Sequence, residues 1–262
     1  MKLLLSELRM RRVSLVVWAL SVAALVLMIV AFYPQVRDDP SLNAIYENLS
    51  PSMQALLGGS DLTSPTGYLN TQLFAFLLPA VLLVFGVGRG AASIAGEEEE
   101  HTLDLLLAQP VARWAVYLAK AAALVVGLTL LGLAGWVPVA ALNSAVRFDL
   151  PAANIAAVTV QMTLMCLALS LAAQAIAAWV GRRSIGIAIV SGYAFVSYVI
   201  YGLAGTVGWL EHLRPLTLWR WYLLNDPLSN GFGAAECLVL LATCGAAAGL
   251  GGLLFVRRDL HG

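Results

Sequence analysis

The stretch VSLVVWALSVAALVLMIVAFY, from Val13 to Tyr33, carries no charge and is long enough to cross a bilayer. At about 1.5 Å of rise per residue, roughly 20 apolar residues cover the ~30 Å hydrocarbon core as a helix that satisfies its own backbone. Similar windows recur from Tyr68 to Gly88, Ala115 to Leu142, Asn154 to Val180, Ser184 to Leu203 and Cys237 to Val256. Six such windows predict an all-α integral membrane protein in which residues 1–262 form one transmembrane domain. Composition agrees, since 60% of residues are hydrophobic and only 11% are charged. That balance lies outside the soluble range.

Lys120 is the one charged residue inside a window. It lies near an end of its span, so its aliphatic stem is expected to carry the ammonium out to the headgroups. Basic residues fall unevenly on the two sides of the spans. One side collects Lys2, Arg9, Arg11, Arg12, Arg89, Arg113, Lys120, Arg182, Arg183, Arg257 and Arg258, and the other only Arg37, Arg147, Arg214 and Arg220. Basic flanks stay on the cytoplasmic side, which predicts that both termini are cytoplasmic. The formal net charge of zero hides this asymmetry. No basic stripe interleaved with aromatics appears, so no nucleic-acid partner is expected.

The N-terminal apolar run is too long for a cleaved signal peptide and ends without a small-x-small site, so the first span is expected to stay attached. Ahead of it, Met1 to Arg12 places Leu4, Leu5 and Leu8 on one helical face, as in a helix lying in the membrane interface. An ordinary positive flank reads similarly. Cys166, Cys237 and Cys244 all fall within spans and staple no external loop. Pro79 and Pro138 are expected to bend their helices, and Gly245 and Gly249 form a small-xxx-small pair on the last span. Gln161 and Gln174 in the fourth span are amides that lipid would not tolerate unbonded. They should either cross-bond helices or face a substrate pathway. Between the fifth and sixth spans, Trp209, Trp219, Trp221 and Tyr222 sit beside Arg214 and Arg220. That composition suits either a headgroup-level anchoring belt or an external gate touching substrate, with Trp219 and Trp221 as the residues concerned.

No enzyme is legible. His101, His212 and His261 are dispersed, no Cys/His/carboxylate cluster has metal-ligand spacing, and Lys2 and Lys120 follow Met1 and Ala119 rather than the glycine of a phosphate-binding loop. The chain is expected to bind no cofactor or metal and to have no ATPase site of its own.

Between the second and third spans runs Gly96-Glu97-Glu98-Glu99-Glu100-His101-Thr102-Leu103-Asp104-Leu105-Leu106-Leu107-Ala108-Gln109-Pro110. At roughly 2.5 to 3.5 kcal/mol per charge at the bilayer centre, its four adjacent carboxylates must lie outside the lipid. Leu103, Leu106 and Leu107 recur at helical spacing and would give a short helix one apolar edge, with Glu97 to Glu100 before its N-terminus. Four solvated carboxylates repel one another. A basic partner surface would relieve this, which favours a docking face.

This segment resembles the loop between the second and third spans in the permease subunits of type-2 ABC exporters. Pro34, Leu56-Leu57-Gly58, Gly67-Tyr68 and Asn225-Asp226-Pro227-Leu228 with Gly231 are similar to that family's sequences too, and together they cover most of the chain. His101 departs from the pattern, since the family usually has glycine there. The resemblance implies an assembly of two permeases and two cytoplasmic ABC ATPase subunits that bind ATP and Mg. It implies an N-terminal elbow helix, and a coupling helix seated on the ATPase through Glu97, Glu98, Glu99, Glu100, Thr102, Leu103, Asp104, Leu106 and Leu107. It also implies efflux across a bacterial inner membrane. The apolar spans suit a hydrophobic or amphipathic cargo such as a drug, lipid, peptide or polyketide. A second copy or a homologous permease would complete the dimer. Composition alone equally permits a non-transporting scaffold or sensor that recruits a soluble partner through the acidic loop. An ion-coupled transporter fits less well, because no span carries an ionisable group at its centre.

Overall fold

Six helices long and apolar enough to cross a membrane build the protein: Arg12–Arg37, Pro65–Glu99, Arg113–Leu142, Ala152–Val180, Arg183–Leu203 and Ala234–Arg257. The computed structural model describes residues 2–38, 48–56, 63–101 and 112–258, with the side chains of 2–11, 51, 55 and 56 left aside. In chain order the helices are α1 (Lys2–Arg37), α2 (Pro51–Leu56), α3 (Pro65–Leu69), α4 (Leu77–Glu99), α5 (Arg113–Leu142), α6 (Ala152–Val180), α7 (Arg183–Leu203), α8 (Leu218–Leu223), α9 (Pro227–Asn230) and α10 (Ala234–Arg257). Among the described residues there is no strand.

The first helix runs without interruption from Lys2, because no glycine or proline precedes Pro34 to break it. The segment expected to form a separate elbow is therefore continuous with the first span. The acidic end of the second span also differs from expectation. The apolar window stops before Arg89, yet the helix continues to Glu99. Hydropathy marks where a helix leaves lipid, not where its hydrogen bonds end.

At the centre stands α6, the most buried span, against which α4, α5, α7 and α10 all pack. Its three hydroxyl side chains are turned onto its own backbone. Thr159, Thr163 and Ser170 each donate to the carbonyl four residues earlier, which removes the cost of unpaired hydroxyls in an apolar setting. Glycines let α4 come close. A Cβ at Gly86 would collide with Ser170 Oγ, and one at Gly90 with the Ser170 carbonyl. On α10 it is Gly251 that makes the close approach, lying against Tyr117 and Ala175. At the expected pair, Gly245 and Gly249, an added Cβ would meet no atom within 4 Å among the described residues. Cys166 and Cys244 are buried and all three cysteines are free.

At the end of the bundle opposite Glu99, aromatic residues fasten α1 to its neighbours. Tyr33 packs against Tyr68 and Phe148 in tilted pairs with ring centroids at 5.1 and 4.5 Å. Its hydroxyl donates to Thr63 O, and that of Tyr68 to Ile29 O. At the end of α1, the Arg37 guanidinium holds the exposed Asp38 carboxyl below the usual carboxylate range.

Candidate functional site: a braced end and an apolar groove

The second span is not one regular helix. Between α3 and α4 lies a π-helical turn, Asn70–Phe74, and Phe76 then leaves the helical region at φ −141°. Pro79 follows and has no N–H to offer Ala75, whose carbonyl would otherwise go unbonded. The connection before the last span supplies the missing donors. Trp219 Nε1 donates to Ala75 O at 3.1 Å, and the Tyr222 hydroxyl to Phe74 O at 3.0 Å. Helix α8 carries both side chains inward, where they are 2% and 0% exposed, and Thr217 caps its N-terminus by accepting from Arg220 N. The anchoring belt expected here is thus divided. Trp209 and Leu216 point outward, at 68% and 71% exposure, while Trp219 and Tyr222 close the broken span. Composition could not separate these roles, because the carbonyls to be capped belong to a different part of the chain.

Beside the break, α4 and α7 part to leave a groove of about 400 Å³. Leu83, Val84 and Val87 line one wall, and Ile187, Ala194 and Phe195 the other. Phe76, Tyr198 and Trp219 form its aromatic end, with ring centroids at 4.9 Å for Phe76 and Tyr198 and 5.6 Å for Tyr198 and Trp219. Ser191 is the one hydroxyl-bearing aliphatic residue in the lining. Such a surface can hold an apolar or aromatic molecule and offers no charge to bind an ion.

Of the four residues read from sequence as candidates for a pathway, the structure brings only Trp219 to this groove. Trp221 turns away and donates to Pro215 O. Gln174 is fully buried and donates across to the Tyr117 carbonyl at 3.5 Å, a bond between α6 and α5. Gln161 is fully buried as well, and neither amide atom has a partner among the described residues. Phe76 and Tyr198 were missed. The apolar run LFAFLLP was read only as a span, although Phe76 three residues before Pro79 marks the place where a helix loses a hydrogen bond.

The acidic run lies at the other end of α4, and it occupies the last turn of that helix rather than the first turn of the next. Carboxylates there oppose the partial negative charge of a helix C-terminus, so they require cations. Three spans provide them. Lys120 of α5 pairs with Glu97 at 2.5 Å, Arg258 beyond α10 with Glu98 at 2.5 Å, and Arg183 of α7 with Glu99 at 3.3 Å. The four carboxylates expected to stand free in water are therefore three internally paired groups, of which Glu99 lies at the surface, followed by the exposed Glu100. Lys120 is corrected in the same way. Its side chain is 3% exposed and turns inward to Glu97 instead of snorkelling to the headgroups.

After Glu100 the chain turns at His101, which adopts φ +54°. That is the left-handed conformation in which glycine is free of steric cost, and it accounts for the glycine usual in the resembling sequences. Thr102, Leu103, Asp104, Leu106 and Leu107, with the coupling helix expected over them, lie outside the described residues. Among the described residues no group of His, Cys, Asp and Glu is placed to hold a metal.

Compared with known proteins, the chain matches the family model described as ABC-2 family transporter protein over residues 1–260. None of the curated proteins compared with it matches. Members of this family are membrane-spanning subunits that generally work with a cytoplasmic ABC ATPase and typically have no ATPase site of their own. With six apolar spans and a family match across nearly its whole length, this chain belongs to the ABC-2 transporter family as a permease subunit.

Proposed function

We propose that the permease exports a hydrophobic or amphipathic molecule, driven by a separate ATPase that binds ATP and Mg. The observation that carries this reading is the apolar groove between α4 and α7 at the broken second span. Discontinuous membrane helices are where transporters recognise substrate, since a broken helix can re-form its hydrogen bonds as it moves. The bias of basic residues supports an inner-membrane protein with both termini in the cytoplasm, so that the charged end faces the ATPase. On this reading Glu100, Thr102, Leu103, Asp104, Leu106 and Leu107 meet the ATPase, and Glu97 to Glu99 brace the helix behind them. Two ATPase copies and a second permease, identical or homologous, complete the assembly. ATP-driven closure of the ATPases then tilts the spans as rigid bodies.

The test is co-expression with a candidate ABC ATPase from the same genome, followed by reconstitution in liposomes and efflux of a lipophilic fluorescent dye. Dye efflux that needs ATP and disappears in Ala194→Trp, while the ATPase still co-purifies, supports the proposal. Ala194 is 6% exposed and lines the groove, so an indole there fills it. A partner that co-purifies without hydrolysing ATP would favour a recruiting scaffold instead and overturn the export reading.

A further inference from the structure

Arg258 stands just past α10 and bonds in three directions at once. Its guanidinium grips Glu98 with two hydrogen bonds, Nη1 to Oε2 at 2.9 Å and Nη2 to Oε1 at 2.5 Å. Nη1 also donates to Ala178 O at 2.8 Å, in the last turn of α6. Its own carbonyl accepts from Arg113 Nη1 at 3.0 Å, at the start of α5. Glu98 precedes residues 102–111 and Arg113 follows them. One residue therefore fastens both sides of that connection to the ends of the fourth and sixth spans.

The surroundings are shaped for an arginine and not for any cation. Gly181, which ends α6 at φ +77°, lies under the guanidinium, and a Cβ there would collide with Nη2. A planar fork can hold a carboxylate through two bonds and still reach a carbonyl, which an ammonium on a flexible stem does not reproduce. The side chain is 18% exposed and that of Glu98 23%, so water screens the pair only in part. The pair from Glu99 to Arg183, by contrast, lies at the surface with its arginine 56% exposed.

We infer that Arg258 is the positioning residue of the loop between the second and third spans: through Glu98, Arg113 and Ala178 it delivers displacement of residues 102–111 to the fourth and sixth spans as one body. Networks of charged hydrogen bonds between rigid helices carry coupling of this kind. The inference rests on the proposal that an ATPase docks on this loop, and the experiment separates the two.

The full permease with its ATPase is placed in lipid nanodiscs. Ser191→Cys in the groove reports by its rate of labelling with a maleimide dye, before and after trapping with ATP and vanadate. The same chain without that cysteine gives the background. With Arg258 intact, trapping is expected to change the rate about tenfold, and in Arg258→Lys by less than about twofold, a loss in the range that network mutations produce. ATPase co-elution and ATP turnover should persist in Arg258→Lys. Gly181→Ala, which displaces the guanidinium and leaves every charge in place, should behave as Arg258→Lys does. A full response in Arg258→Lys would overturn the inference. Loss of the ATPase from Arg258→Lys particles would overturn it too, because Arg258 would then hold the docking face rather than transmit from it. Absence of ATPase from the parent particles would instead overturn the proposed ATPase pairing.

Discussion

The two ends of the second span are secured by different chemistry. At one end α4 finishes in three carboxylates held by Lys120, Arg183 and Arg258. At the other it begins in a break whose carbonyls are held by the neutral donors of Trp219 and Tyr222. Charged pairs fix a helix end firmly because separating them strands an ion in a poorly solvated place. Two neutral hydrogen bonds hold more weakly and can be exchanged for water or for a helical bond. The contrast makes the charged end of α4 the part fastened rigidly to its neighbours, so that it moves with them, and the aromatic end, next to the groove, its hinge.

The sharpest way to break this comparison is Lys120→Met, which leaves Glu97 without its buried partner. It should lower stability by about 3 to 5 kcal/mol, read by unfolding in detergent micelles. Adding Glu97→Gln should recover most of the loss, because the carboxylate that Lys120 neutralises is then uncharged. Equal loss in the single and double variants would show that packing, not charge, secures this end. At the hinge, Trp219→Phe keeps the ring and removes the N–H, leaving the Ala75 carbonyl buried without a donor. The expected cost is smaller, about 1 to 3 kcal/mol by the same measurement. A cost above that of Lys120→Met would reverse the assignment of fixed and hinged ends. The smallest effect is a gain: His101→Gly relieves a left-handed residue and should stabilise the charged end by about 1 kcal/mol. Destabilisation would mean that the imidazole makes a contact worth more than the backbone relief.

Much of the architecture was legible. Every window found from hydropathy corresponds to a candidate spanning helix, with ends shifted by a few residues except where α1 begins at Lys2 and where α4 continues from Gly88 to Glu99. That the acidic run lies outside the lipid and suits a docking face is legible in the sequence, but its place at a helix C-terminus is not. A row of glutamates before a leucine-rich segment reads naturally as an N-terminal turn, and only the course of the backbone shows that it closes the preceding helix. Trp219 was found as one of two alternatives for a Trp-rich loop. Its partner residues Phe76 and Tyr198 were not, since an aromatic inside an apolar span looks the same whether it meets lipid or a groove.

Transfer of a residue from water to lipid is a local cost that sums along the chain, so sequence alone determined that this protein has six segments long and apolar enough to cross a membrane and where they lie. Its motifs carried the family as well. Which cation meets which carboxylate, and which indole caps which carbonyl, depends on helix neighbours that no local sum contains. Lys120 and Glu97, or Trp219 and Ala75, acquire their roles only when α6 has gathered the other spans around it, because these interactions act over a few ångströms between residues remote in sequence.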